Sequence, residues 1–197
     1  SAREVAQVAA VIGREFSFDL LAAVITPANG SLEDALIRLA DAGLISPQGA
    51  IPRSRYAFRH ALIRDVAYST LLRDRRRQLH AQVAEALEQV PEQVGSVPEL
   101  LAQHYTLAGL TEPAVRHLLA AGQRALRASA YREAALHLRK GIELLESLPE
   151  GALRKRLQAE LKATLALVRD SSQGYGHAFQ SAFAGWRNPR SPFEWHW

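Results

Sequence analysis

Leu44-Ile45-Ser46-Pro47-Gln48-Gly49-Ala50-Ile51-Pro52-Arg53-Ser54-Arg55-Tyr56-Ala57-Phe58 decides the fold, because it is the one stretch that does not read as helix. Leu44-Ile45-Ser46 and Arg55-Tyr56-Ala57-Phe58 are short runs carrying branched and aromatic residues. Between them, Pro47 to Pro52 holds two prolines and a glycine. Two short strands around a turn suit this pattern best.

Upstream, a first helix is expected from about Arg3 to Ile12, stopping near Gly13, and a second from about Phe18 to Ile25. Pro27-Ala28-Asn29-Gly30 is a turn cluster. Ser31 then reads as an N-cap with Asp34 three residues on, Leu32, Ala35, Leu36 and Leu39 recur at helical spacing, and Gly43 ends the helix. Three helices followed by a two-stranded β wing is the layout of a winged helix, a helix-turn-helix relative, and it is expected over residues 1–72.

Downstream everything reads as helix. Leu62, Val66 and Leu71 mark one apolar stripe; Leu79, Val83, Ala86, Leu87 and Val90 mark the next, on a connecting helix and loop over 73–95 that breaks at Pro91 to Pro98. Further helices are expected at Glu99–Ala108, Glu112–Arg127, Tyr131–Ser147 and Leu153–Val168, each with one narrow stripe, which means antiparallel packing. The fold class is therefore mainly α. Gly122 and Ala134 have the twelve-residue spacing of the small residues at which the paired helices of a tetratricopeptide repeat cross, with Tyr131, Leu138 and Gly141 in supporting places. Ala102 and Ala114 repeat that spacing, twenty residues earlier. A repeat of this kind takes ~34 residues, so the two matches share one helix and at most one is a full repeat. A helical bundle with alanines at its crossings is the alternative. Residues 96–170 are expected as this helical region, its concave side open to an unknown protein or ligand. In 171–197 the stripe disappears and all three tryptophans gather near the end, so a disordered tail is expected.

The 197-residue chain has no cysteine, which removes disulfides, thiolate nucleophiles and Cys-ligated zinc, and it fits a cytoplasmic location. No apolar run is long enough to span a bilayer. The absence of methionine suggests an internal piece of a longer protein. No glycine precedes a lysine, so a phosphate-binding P-loop is missing, and no His-Glu-x-x-His occurs. The histidines are never three or four apart; His104, His117 and His137 fall one per helix and are expected on helix surfaces. Ser69 and His80 could be imagined as nucleophile and base, but no Gly-x-Ser-x-Gly elbow accompanies them. No catalytic residue, metal ligand or cofactor site is assigned. Arg73, Arg75, Arg76 and Arg77 supply much of the net charge of +4 and form a possible basic contact patch, or a solvated helix face. DNA binding through the third helix is disfavoured, because Glu33, Asp34 and Asp41 outweigh Arg38 there.

Two stretches carry a family resemblance. They are Tyr56-Ala57-Phe58-Arg59-His60-Ala61-Leu62-Ile63-Arg64-Asp65-Val66-Ala67-Tyr68-Ser69-Thr70-Leu71, and Leu101-Ala102-Gln103-His104-Tyr105-Thr106-Leu107-Ala108-Gly109-Leu110 with Ala121-Gly122-Gln123-Arg124-Ala125. Together with Val11-Ile12-Gly13-Arg14-Glu15-Phe16, they resemble the region that follows the ATPase domain in bacterial signal-transduction ATPases with numerous domains (STAND ATPases). The likeness extends over about 2–176 and is strongest to proteins in which a class III adenylate/guanylate cyclase domain precedes the ATPase.

The resemblance implies an upstream ATPase domain holding ATP or ADP, a winged helix packed against it, and a tetratricopeptide-like sensor after it, with a cyclase or transcriptional output elsewhere. In related immune-receptor ATPases the His of a Met-His-Asp motif contacts the phosphate of ADP. His60 stands at the corresponding place, although Arg59 and Ala61 replace the Met and Asp. An imidazole at a helix start can donate to a phosphate oxygen; equally, it can cap the helix or pack against the wing.

Overall fold

The computed structural model describes residues 1–25, 31–49, 54–89 and 98–184, with the backbone alone over 173–184. The turn expected at Pro27 to Gly30, the centre of the wing loop and the break from Pro91 onward lie outside the described residues, as do 185–197. The chain divides into two compact units, Ser1–His117 and Leu118–Trp197.

The first unit runs α1 (Ala2–Ile12), β1 (Glu15–Ser17), α2 (Phe18–Val24), α3 (Leu32–Asp41), β2 (Ile45–Gln48), β3 (Arg55–Phe58), α4 (Ala61–Ser69), α5 (Arg73–Glu88), α6 (Pro98–Ala108) and the start of α7 (Thr111–Arg127). Local chemistry sets these limits. Ser17 Oγ accepts from Leu20 N at 3.2 Å to open α2, and Ser31 Oγ accepts from Asp34 N at 3.0 Å to open α3. Gly43, at φ +69°, turns the chain out of α3 while Leu44 N donates back to Leu39 O at 3.0 Å.

The expected two-stranded wing is corrected to a three-stranded antiparallel sheet of order β1-β3-β2. Phe16 pairs with Tyr56, and Ile45 with Phe58. At three residues with one apolar side chain, β1 has no readable period. Tertiary packing makes it a strand: the Phe16 ring stacks on Tyr56 at 5.8 Å and tilts against Phe58 at 5.7 Å. Tyr56, Phe58 and Ile45 are fully buried with Val5 and Val8 of α1, Leu21 of α2 and Leu36 of α3. Each such side chain stabilises the fold by about 1.5–3 kcal/mol. Leu79, Val83 and Leu87 of α5 are also buried, and α5 packs on α1, α2 and α6.

The stripe expected at Leu62, Val66 and Leu71 divides: Leu71 is buried, but Leu62 and Val66 are exposed, and α4 buries none of its residues.

The second unit comprises the rest of α7, α8 (Tyr131–Leu145) and α9 (Ala152–Ala184). Small residues sit at its helix crossings. A Cβ on Gly122 would lie 2.7 Å from Leu138 Cγ and Cδ2, and one on Gly141 would lie 3.0 Å from Leu161 Cδ2. Leu138, Leu145, Leu157 and Leu161 are buried between these helices. The backbone of α9 continues to Ala184, past Val168, where the stripe stops, so 171–184 is helical where a disordered tail was expected. Extending a formed helix adds one hydrogen bond per residue and needs no apolar stripe. Among the described residues no helix is long and apolar enough to cross a membrane.

Candidate functional site

The turn from β3 into α4 presents His60. It occupies the N-cap of α4 with extended backbone, its side chain is exposed, and it makes no capping hydrogen bond. Capping therefore does not account for this imidazole, which projects from a helix N-terminus whose amide groups favour an anion.

The four arginines of α5 separate. Arg76 donates to Leu71 O at 3.0 Å and lies 4.4 Å from the centroid of the Tyr68 ring. Arg77 Nε donates to Ala108 O at 3.0 Å, capping the end of α6 where Gly109 turns at φ +77°. Arg73 and Arg75 are exposed. Two of the four thus hold helix ends together, and two remain as surface charge. Of the small residues singled out, Ala102, Ala114, Gly122 and Ala134 are all buried.

The histidines form a feature that the sequence pattern hides. His104, expected on a helix surface, is instead 3% exposed, and so is His80. Their Nδ1 atoms are 2.9 Å apart, and His80 Nε2 lies 2.9 Å from the Tyr68 hydroxyl. This chain of contacts ties α4 to α5 and α5 to α6. A bond between two Nδ1 atoms needs one donor and one acceptor, so both imidazoles cannot be protonated there. Burial, reinforced by His104 and Arg76, lowers the His80 pKa to about 4. Burial alone lowers that of His104 to about 4. Both rings are neutral at pH 7. Twenty-four residues separate the two, so no helical spacing signals the pair.

Ser69 does not reach His80 as a nucleophile would: its Oγ donates to Val66 O at 2.9 Å, within its own helix. His117 stacks on Tyr105 at 5.4 Å and lies 3.0 Å from Glu88 Oε1. Burial and then Glu88 raise the Tyr105 phenol above its ordinary range. His137 lies 3.7 Å from Glu133 on its own helix.

A second feature involves α4. Helices α1, α3 and α4 enclose an open groove of ≈ 700 Å³ whose floor is made by Leu39, Leu44, Leu62, Ile63 and Val66. Arg3 and Arg38 stand in its lining.

No protein-family model matches the chain, and no solved structure matches it. It is similar to "Uncharacterized protein R02095" of Rhizobium meliloti (strain 1021), at 32% identity over 160 residues. That alignment takes in 80% of this chain and 16% of the relative, so the chain spans less than a fifth of the protein it resembles.

Proposed function

We propose that this chain is a non-catalytic regulatory and protein-interaction module of a multidomain signal-transduction ATPase, in which a winged helix contacts the ATPase domain and a tetratricopeptide-like region receives a signal. The observation that carries the reading is the element order. Helix, strand, two helices and two strands, with the sheet ordered β1-β3-β2 and further helices after it, support the winged-helix reading. The buried small residues at Gly122 and Gly141, each opposed by a leucine of the next helix, support the tetratricopeptide-like half. The relative, of which this stretch is 16%, supports a role as one part of a larger assembly of domains. In this reading ATP or ADP belongs to the ATPase domain, and His60, uncapped at the start of α4, is the residue offered to its phosphate.

A DNA-binding role finds little support. The outward face of α3 carries Asp34, Ile37, Arg38 and Asp41, which sets two carboxylates against one cation where phosphates would approach.

The test is an affinity measurement between this chain and a STAND ATPase domain immobilised with ADP or with ATP. The reading expects the ADP form to bind the chain more tightly. Equal binding to both forms, or binding to neither, counts against it. A salt-sensitive gel shift of random duplex DNA that Arg73→Ala and Arg75→Ala abolish would favour the DNA reading instead.

A further inference from the structure

We infer that the groove between α1, α3 and α4 is a docking site for an amphipathic helix with acidic residues along its flank, supplied by a partner polypeptide. The inference rests on the reading of the chain as an interaction module and names the chemistry of one partner.

Three observations lead to it. First, Leu62 is 75% exposed and Val66 63% exposed on one face of α4, and α4 buries no residue at all. A nine-residue helix with an apolar stripe gains stability by burying that stripe, and here the stripe faces open space. Second, Leu39 and Leu44 add apolar side chains to the same lining, giving a trough of ≈ 700 Å³ framed by three helices. No strand lines this trough, so it offers no backbone edge for an added strand. What it offers is an apolar channel between helices, which suits a helix with apolar residues at i, i+3, i+4 and i+7.

Third, the charge in the lining has one sign. Arg3 and Arg38 are its only ionised side chains, since Asp34 and Asp41, which share the exposed face of α3 with Arg38, are not part of the lining, and neither arginine makes an ion pair among the described residues. Asp65, the acid beside Val66, is taken by Arg64 at 2.6 Å. Two uncharged polar groups of the lining bond to each other: Gln7 Nε2 donates to Thr70 Oγ1 at 2.9 Å, and Thr70 Oγ1 donates to Ala67 O at 2.7 Å. Two unpaired guanidinium groups beside an apolar trough select carboxylates on the flank of the incoming helix, and bidentate pairing suits arginine to that task. A polar small molecule would find few free groups to orient it.

The test uses the 197-residue chain and two fluorescein-labelled peptides of about five helical turns. Both carry leucine at i, i+3, i+4 and i+7; one has glutamates on the flanks and its sibling has lysines. Fluorescence anisotropy is expected to show the glutamate peptide binding about tenfold more tightly than the lysine peptide. Leu62→Ser with Val66→Ser should abolish binding of both, with an unchanged circular dichroism melt, because these side chains are already in water. Arg3→Glu with Arg38→Glu should reverse the order of the peptides. Equal affinity for the two peptides, or binding that survives the serine changes, overturns the inference. Self-association in sedimentation that the serine changes remove, with no peptide bound, also overturns it, because the occupant is then a second copy. None of these failures touches the nucleotide-dependent affinity for an ATPase domain, so the wider reading stands or falls separately.

Discussion

His80 and His104 meet Nδ1 to Nδ1 at 2.9 Å, joining α5 to α6 through two neutral rings that are almost wholly buried. Between pH 6.5 and about 4 the unfolded chain takes up protons on these histidines and the folded chain does not. Stability therefore holds above pH 6.5 and falls as the pH drops through this window. The expected loss is on the order of 3 kcal/mol for each histidine. Urea unfolding at pH 7 and at pH 4.5 measures it. The double change His80→Leu and His104→Leu should flatten the slope, and an unchanged slope would assign the acid sensitivity to other groups.

The crossing at Gly122 gives an ordered pair of outcomes. A Cβ there lies 2.7 Å from two atoms of Leu138, Cγ among them, and Leu138 is fully buried. Gly122→Ala should destabilise the second unit by about 1–2 kcal/mol, with overpacking exceeding the gain in helix propensity. At Gly141 the nearest contact is 3.0 Å, to the end of Leu161, and Gly141→Ala should be close to neutral. Denaturant midpoints of the two variants make the comparison, and the reverse order would contradict the packing described.

The arginines of α5 divide by what they touch. Arg77→Ala removes the hydrogen bond to Ala108 O and should lower stability by about 1 kcal/mol. Arg73→Ala and Arg75→Ala remove exposed side chains and should change stability by less than about 0.5 kcal/mol. Thermal melts of the three single variants check this directly.

Phe16 tests the strand that the sequence reading passed over. Phe16→Ala removes a ring packed against both Tyr56 and Phe58 and should destabilise the first unit by about 3–5 kcal/mol. A loss below 1 kcal/mol would mean that β1 contributes little to the sheet.

Where the sequence carried a period or a cap, it was readable. The Ser31 cap, the leucines of α3 and the strand Arg55–Phe58 all stand where local pattern puts them. The features it hid are those set by distant partners. Phe16 becomes a strand residue only because Tyr56, forty residues on, lies beside it. His104 is a core residue only because His80 can satisfy its Nδ1. Leu62 and Val66 have the spacing of a buried stripe and are nonetheless exposed, since periodicity identifies an apolar face without saying what covers it. His60 could be placed at a helix start from sequence, whereas its freedom from a capping role required coordinates.

The central claim is tested most directly by titrating labelled ATP and ADP against the chain alone, and then against the chain mixed with a STAND ATPase domain supplied in trans. The account predicts no binding to the chain alone, and tighter binding of ADP in the mixture that His60→Ala removes. Tight nucleotide binding by the isolated chain, or tightening indifferent to His60, would contradict it.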